Sequence, residues 1–291
     1  MIEFASKNDF KNIVELWKSS FGDSVTYIER FLNTLFTDKN CLIFRENSSI
    51  VSMLFLLDAK IVSNSSSHPA YYVYAACTAA ENRGLGIMSK LLRHAIDYAT
   101  HENKDFVCLA PADECLFGYY SRFGFERVFK RKEFVLSRSI MSQLSENGAE
   151  TFVPSINEIK SLRDKPLSTG SRLLWEENLI EYAIEENELS GGESVFVQKN
   201  GAFIGYAVYA VEKDTVVINE LCVLKHSFGL LAKVLISQTK ADYYQFSLPL
   251  EFPLSVDHST VRDNGMILPL NPVGTAALET MFQAFIGFTL E

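Results

Sequence analysis

The feature that most narrows the fold is a strand, a turn and a helix written in one stretch. Residues 71–78, YYVYAACT, are a near-continuous apolar run; AAENRGLG follows, and an apolar period of helical spacing starts at Ile87. The turn holds Gly84 and Gly86, preceded by Arg83. A glycine inside a helix costs about 1 kcal/mol relative to alanine, so something must offset its presence at the helix mouth. Helix starts carry unpaired N–H groups and the positive end of the dipole, and glycine lets an anion approach that backbone with no Cβ in the way. The loop alone leaves two readings open. One is a phosphate cradle with Arg83 adding charge; the other is a tight turn with a solvated arginine.

A dinucleotide fingerprint is nearly met by Gly84, Gly86 and Ser89. Its context is wrong. That motif follows its strand almost directly and opens the first βαβ unit, whereas here five residues intervene and a strand, two helices and a hairpin come first.

The flanking periodicities supply that order. IEFA reads as a strand, followed by helices near residues 8–20 and 25–36. CLIFRENSSIVSMLFLLDAKIV reads as a hairpin turning at ENSS, SNSSSHPA as a polar loop, and residues 87–99 as a helix. Then come the strand DFVCLAP, the helix DECLFGYYSRF and a closing strand, FERVFKRKEFVLS. A polar, glycine-containing stretch near 142–154 places the domain boundary there. The expected plan is a domain at 1–140, a linker at 141–155 and a second domain at 156–291.

The second half repeats the first. FRENSSIVSMLFLL aligns with VQKNGAFIGYAVYA, GIMSKLL with GLLAKVL, and FVCLAP with YQFSLP, pairing Asn47 with Asn200, Gly86 with Gly229 and Pro111 with Pro249. The copies differ at the loop: RGLG in the first becomes HSFG in the second, which loses the arginine and one glycine. EFPLSVDHSTVRDNG reads as a loop, and TAALETMFQAFIGFTLE as a final helix, apolar almost to its end and therefore docked.

Bulk composition sets outer bounds. The 291 residues suffice for two domains, and 47% hydrophobic with 22% charged residues is globular composition. A net charge of −9 excludes the basic stripe of a nucleic-acid binder. Five cysteines, an odd number without CxxC spacing, read as core residues in a reducing compartment, and no metal site is expected. MIEFASKNDF has neither a basic nor an apolar leader segment, and no run approaches 18 apolar residues. The expectation is a cytoplasmic protein with no membrane partner, with self-association left open.

With this order in place, the sequence resembles the GNAT superfamily of acyl-CoA-dependent N-acyltransferases. Their diphosphate loop, R/Q-x-x-G-x-G/A, is matched by Arg83-x-x-Gly86-x-Met88, with Met88 departing from the small final residue. YYSRFGFERV resembles their FYeklGFe element, setting Tyr120 at its tyrosine and Gly124-Phe125 at its GF. Matching elements cover residues 1–137. The tandem plan with a degenerate second copy, and LAP…YYSRFGF, resemble the enhanced-intracellular-survival (Eis-like) branch. The fold implied is α/β: two GNAT-like domains, each a twisted mixed β-sheet flanked by helices, the first binding acetyl-CoA.

The resemblance also implies residue roles. The diphosphate would rest on Arg83, Gly84, Leu85, Gly86, Ile87 and Met88, and the pantetheine arm would pair with the backbone of Ala76, Cys77 and Thr78. An amine of a small-molecule acceptor would attack the thioester directly. The departing thiolate needs a proton, and a phenol of pKa about 10 still holds one at neutral pH, so Tyr120 suits the general acid, with Tyr119 its chief competitor. YYVYAACT offers no carboxylate as base; in the Eis-like branch the terminal carboxylate reaches the site, which makes the α-carboxylate of Glu291 a candidate base or acceptor anchor, the other reading being a surface terminus. Cys77 has no evident base beside it and is not expected to act as a nucleophile. The alternative is a non-catalytic acyl-CoA-binding or sensing protein, which Met88 and the missing strand carboxylate favour.

Overall fold

A computed structural model describes residues 1–165, 170–254, 256–281 and 284–288. Its contacts divide the chain into two units: residues 1–127 with 265–281, and residues 128–264 with 282–291.

In the first unit, a short strand β1 (Ile2–Phe4) leads to α1 (Phe10–Phe21) and α2 (Val25–Leu35). Both helices form because their apolar residues recur on one face: Ile13, Leu16 and Trp17 are buried from α1, and Ile28, Phe31, Leu32 and Leu35 from α2. Gly22, at φ 83°, ends α1 in the left-handed conformation, and the Ser24 hydroxyl accepts the Tyr27 N–H to start α2. Then come β2 (Cys41–Glu46), β3 (Ser49–Ser63), β4 (Ser66–Thr78), α3 (Ile87–His101), β5 (Phe106–Leu109) and α4 (Glu114–Ser121). The sheet runs β1-β2-β3-β4-β5, antiparallel except for β4 and β5, which are parallel.

The second unit is built from β6 (Glu126–Ser137), α5 (Arg138–Leu144), β7 (Glu150–Thr151), α6 (Ile156–Asp164), β8 (Arg172–Trp175), α7 (Glu177–Leu189), β9 (Glu193–Lys199), β10 (Ala202–Glu212), β11 (Thr215–Val223), α8 (Phe228–Gln238) and β12 (Tyr243–Leu248). Its sheet runs β6-β12-β11-β10-β9-β7. β9 to β12 repeat the order of β2 to β5, again with a single parallel pair at the end, β11 with β12. The paired asparagines mark corresponding hairpin turns: Asn47 and Ser48, like Asn200 and Gly201, all have positive φ. The chain closes with β13 (Thr260–Pro269) and α9 (Pro272–Leu278).

Three expectations need correction. The contiguous plan of 1–140, 141–155 and 156–291 is not the division of contacts. Strand pairing, not local polarity, sets the boundaries: β6 bonds β12 along Lys132–Ser137, and the end of β13, Met266–Pro269, bonds β5. SNSSSHPA is no loop. Asn64 and Ser65 both take positive φ, a two-residue turn that lets β3 and β4 pair as far as Ser63 and Ser66. Finally, the expected long last helix stops at Leu278, and Ala284 and Phe285 instead form bridges to Phe129 and Arg172.

Candidate active site

The site in the first unit begins with an irregularity in β4. Met53 of β3 pairs with Cys77 and Phe55 with Tyr74, so Ala75 and Ala76 together face Leu54. Ala75 carries the kink at φ 47°. A bulge of this kind bends its strand and sharpens its twist. On the other side, β4 pairs with β5 only through Ala70, Tyr71 and Tyr72, and the two strands part beyond Tyr72 and Cys108. From Val73 onward β4 thus presents an edge of backbone groups to an opening wedge. Nothing in YYVYAACT marks the bulge beforehand, except that two small alanines leave room for it.

Ala76 and Thr78 are half-buried and Cys77 is buried along this edge. The Ser52 hydroxyl donates to the Cys77 carbonyl at 2.8 Å, which fixes the strand end. Burial pushes the Cys77 thiol up to about 12, so it holds its proton and is a poor nucleophile.

Past the strand the chain turns through a 3₁₀ segment, Ala80–Asn82, and reaches the glycines. Gly84 and Gly86 stand at φ 78° and 75°, left-handed values that cost other residues about 1–2 kcal/mol. Around both there is open space where a Cβ would stand. The Arg83 Nε–H donates to the Thr78 carbonyl at 3.0 Å, tying the loop back onto the strand. The first backward helical bond of α3 runs from the Lys90 N–H to the Gly86 carbonyl, so the N–H groups of Ile87, Met88 and Ser89 have no partner within the helix. No side chain caps this end, whereas Ser24, Asp113, Ser137, Ser155 and Asn271 cap α2, α4, α5, α6 and α9. Met88 does not crowd the loop: its side chain packs against the core under α3, with Leu91, Leu92 and Tyr120. Exposed Arg83, Gly84, Leu85 and Gly86 ahead of buried Ile87 complete the cradle. The backbone of this loop and the edge of β4 fit the diphosphate and amide arm of coenzyme A in chemistry and order.

α4 supplies the phenol. Asp113 is its cap, accepting the Leu116 N–H at 2.9 Å, so this carboxylate has a structural task. Tyr120 is buried in one core cluster with Val73 and Leu109, the first residues after β4 and β5 part. Burial holds its phenol well above the ordinary value, and neighbouring Tyr119 adds to the shift. Tyr119 points elsewhere, its hydroxyl 3.1 Å from Ser89 Oγ in the first turn of α3. The two neighbouring tyrosines are thereby told apart: Tyr120 lies with the residues at the parting of the strands, and Tyr119 ties α4 to α3. Gly124, at φ 90°, turns the chain out of α4 and lets Phe125 drop into the same core. Glu291, the candidate base or acceptor anchor, lies outside the described residues. Among the described residues no group of His, Cys, Asp and Glu could hold a metal, and no helix is long and apolar enough to cross a membrane.

Strand wedge, open glycine loop and buried phenol all belong to the first unit. Residues 1–128 match the family model of the acetyltransferase (GNAT) domain. The match covers 128 of the 291 residues, so this first part of the chain is similar to a GNAT acetyltransferase domain. No curated protein matches the sequence. Solved structures share the fold at low identity. A probable N-acyltransferase from Enterococcus faecalis V583 is 15% identical with a TM-score of 0.77, over 93% of this chain and 72% of that one. A GCN5-related N-acetyltransferase from Anabaena variabilis is 16% identical with a TM-score of 0.79, over 97% and 75%. Eis1 from Mycobacterium abscessus is 11% identical with a TM-score of 0.73, over 93% and 74%.

Proposed function

We propose that the protein transfers an acetyl group from acetyl-CoA to a primary amine of a small molecule, by direct attack within a ternary complex. The observation that carries this reading is the uncapped start of α3 behind two left-handed glycines, at the end of a strand that parts from its neighbour. In this reading the N–H groups of residues 84–88 hold the diphosphate, and the β4 edge at Ala76–Thr78 pairs with the arm. Acetyl-CoA supplies the activated thioester. Tyr120 holds a proton for the departing sulfur; burial keeps its phenol protonated at neutral pH. An acceptor amine of pKa about 10.4 must shed its proton before it attacks, which costs roughly 4–5 kcal/mol at pH 7. The second unit is read as a degenerate copy of the first.

A thiol-release assay with acetyl-CoA against a panel of polyamines, aminoglycosides, amino acids and peptides tests the proposal. Turnover with at least one amine is expected. Tight binding of coenzyme A without release of thiol for any amine would instead assign a sensor.

A further inference from the structure

The second unit has a wedge of its own, and it is filled. β11 pairs with β12 only at Thr215–Val217, and a bulge follows at Asn219, where the register against β10 slips between Val208 and Tyr209. Where β11 and β12 part, Glu220, Leu221 and Cys222 face Pro249 and Glu251 across a hollow of about 60 Å³, and Phe285 and Ile286 line it with them. Phe285 and Ile286 thus line this wedge, while the backbone bonds of their segment run to Lys130 of β6 and to Ser171 and Leu173 at β8.

The segment Ala284–Phe288 is bound there as a ligand is bound. The Phe285 N–H donates to the Ser171 carbonyl at 3.0 Å, the Leu173 N–H to the Phe285 carbonyl at 2.9 Å, and the Lys130 N–H to the Ala284 carbonyl at 2.8 Å. Arg163, almost wholly buried, donates through Nη2 to the Ile286 carbonyl at 3.1 Å and through Nε to Glu220 Oε1 at 2.9 Å. Trp175 Nε1 donates to the Phe288 carbonyl at 3.1 Å. Gly287 sits at φ 75°, and a Cβ there would lie 2.5 Å from Arg163 Nη2 and 2.7 Å from Glu220 Oε2, so only glycine passes the ion pair. Ala284, Ile286 and Phe288 are buried. An extended segment held through its main chain is a recurrent mode of peptide recognition.

We propose that the second unit is a peptide-binding module whose ligand is the chain's own segment Ala284–Phe288, clamped by Arg163 and Glu220, so that this wedge takes no acyl-CoA and each chain binds one cofactor. The anion loop of this unit is closed as well. A Cβ on Gly229 would meet the Leu144 carbonyl at 2.5 Å and the Glu146 side chain at 2.9 Å, and the Glu146 N–H donates to the Gly229 carbonyl.

Hydrogen exchange on the full chain tests this directly. The Phe285 amide should exchange at least about 100-fold more slowly than in a synthetic peptide of residues 282–291. Gly287→Val should abolish that protection and expose the Lys130 and Leu173 amides, while those of α8 stay protected. The same peptide added in trans should then bind the Gly287→Val protein and restore the two amides. Free-peptide exchange rates in the unmodified chain would overturn the proposal, whether or not the variant folds. So would titration of two coenzyme A molecules per chain. The exchange arm needs no cofactor, so a failed thiol-release assay leaves it standing.

Discussion

The two wedges make the most instructive comparison in the molecule. Both arise where a parallel strand pair parts beside a bulge, and in both the first of the two strands is followed by a helix, α3 or α8. In the first, Gly84 and Gly86 keep the loop open and the start of α3 bare. In the second, a peptide segment fills the gap and Glu146 stands against the first turn of α8. One strand geometry thus leads to an open loop or to a structural joint. The difference lies in what the remaining backbone donors meet: a buried N–H group needs a partner, and it can be a cofactor or the chain itself.

The largest expected effect comes from closing the open loop by mutation. Gly86→Asp adds left-handed strain of about 1–2 kcal/mol and a charge facing the diphosphate, worth about 4 kcal/mol at 4 Å and an effective dielectric constant of 20. Together these raise the dissociation constant for coenzyme A by at least about 10³-fold, read by calorimetry. An unchanged constant would end the comparison, because the first loop would then be no more a ligand site than the second.

Tyr120→Phe comes next. Loss of a general acid typically costs 10²–10⁴-fold, and the loss should fall on kcat with KM for acetyl-CoA little changed. Because burial raises the phenol's pKa, the protonated acid persists above pH 10, and the unmodified enzyme should show no falling limb from this group between pH 7 and 10. A Tyr119→Phe variant should lose far less. Equal losses would erase the distinction drawn between the two tyrosines.

How much of this was legible beforehand follows the same contrast. The parts of the open loop are local in sequence: glycines ahead of a helix, an apolar strand before them, a tyrosine four residues ahead of Gly-Phe. Those of the closed site are not, because its partners lie far apart. Arg163 meets Glu220 and Ile286 across 57 and 123 residues, and no window of sequence contains that clamp. The exchange of segments between units escaped for a like reason. TVRDNG is polar and reads as the end of a loop, yet it begins β13, whose later residues Met266–Pro269 pair with β5. SNSSSHPA reads as loop on composition, because its serines carry no strand signal, whereas Asn64 and Ser65 close a tight hairpin.

The clamp itself gives the third expectation. Arg163→Met leaves Glu220 buried without its partner, which typically costs 3–5 kcal/mol and should lower Tm by many degrees. Acetyl-CoA affinity should stay within about twofold if the second wedge takes no cofactor. A variant of unaltered stability would show that the ion pair contributes little to holding the segment.

The smallest effect concerns α4, which carries Tyr120. Gly118 lies in mid-helix, its φ is not positive, and a Cβ there would meet nothing within 4 Å. No close approach or unusual backbone angle explains a glycine at this position. Gly118→Ala should therefore stabilise the protein by roughly 0.5–1 kcal/mol, measured by chemical denaturation. The informative quantity is kcat. If it is unchanged, α4 works as a rigid support that sets the phenol in place; if it falls while stability rises, the helix must flex during turnover, and the glycine is kept for that motion. In either case the wedge of the second unit, whose segment is already bound, should show no change in amide exchange.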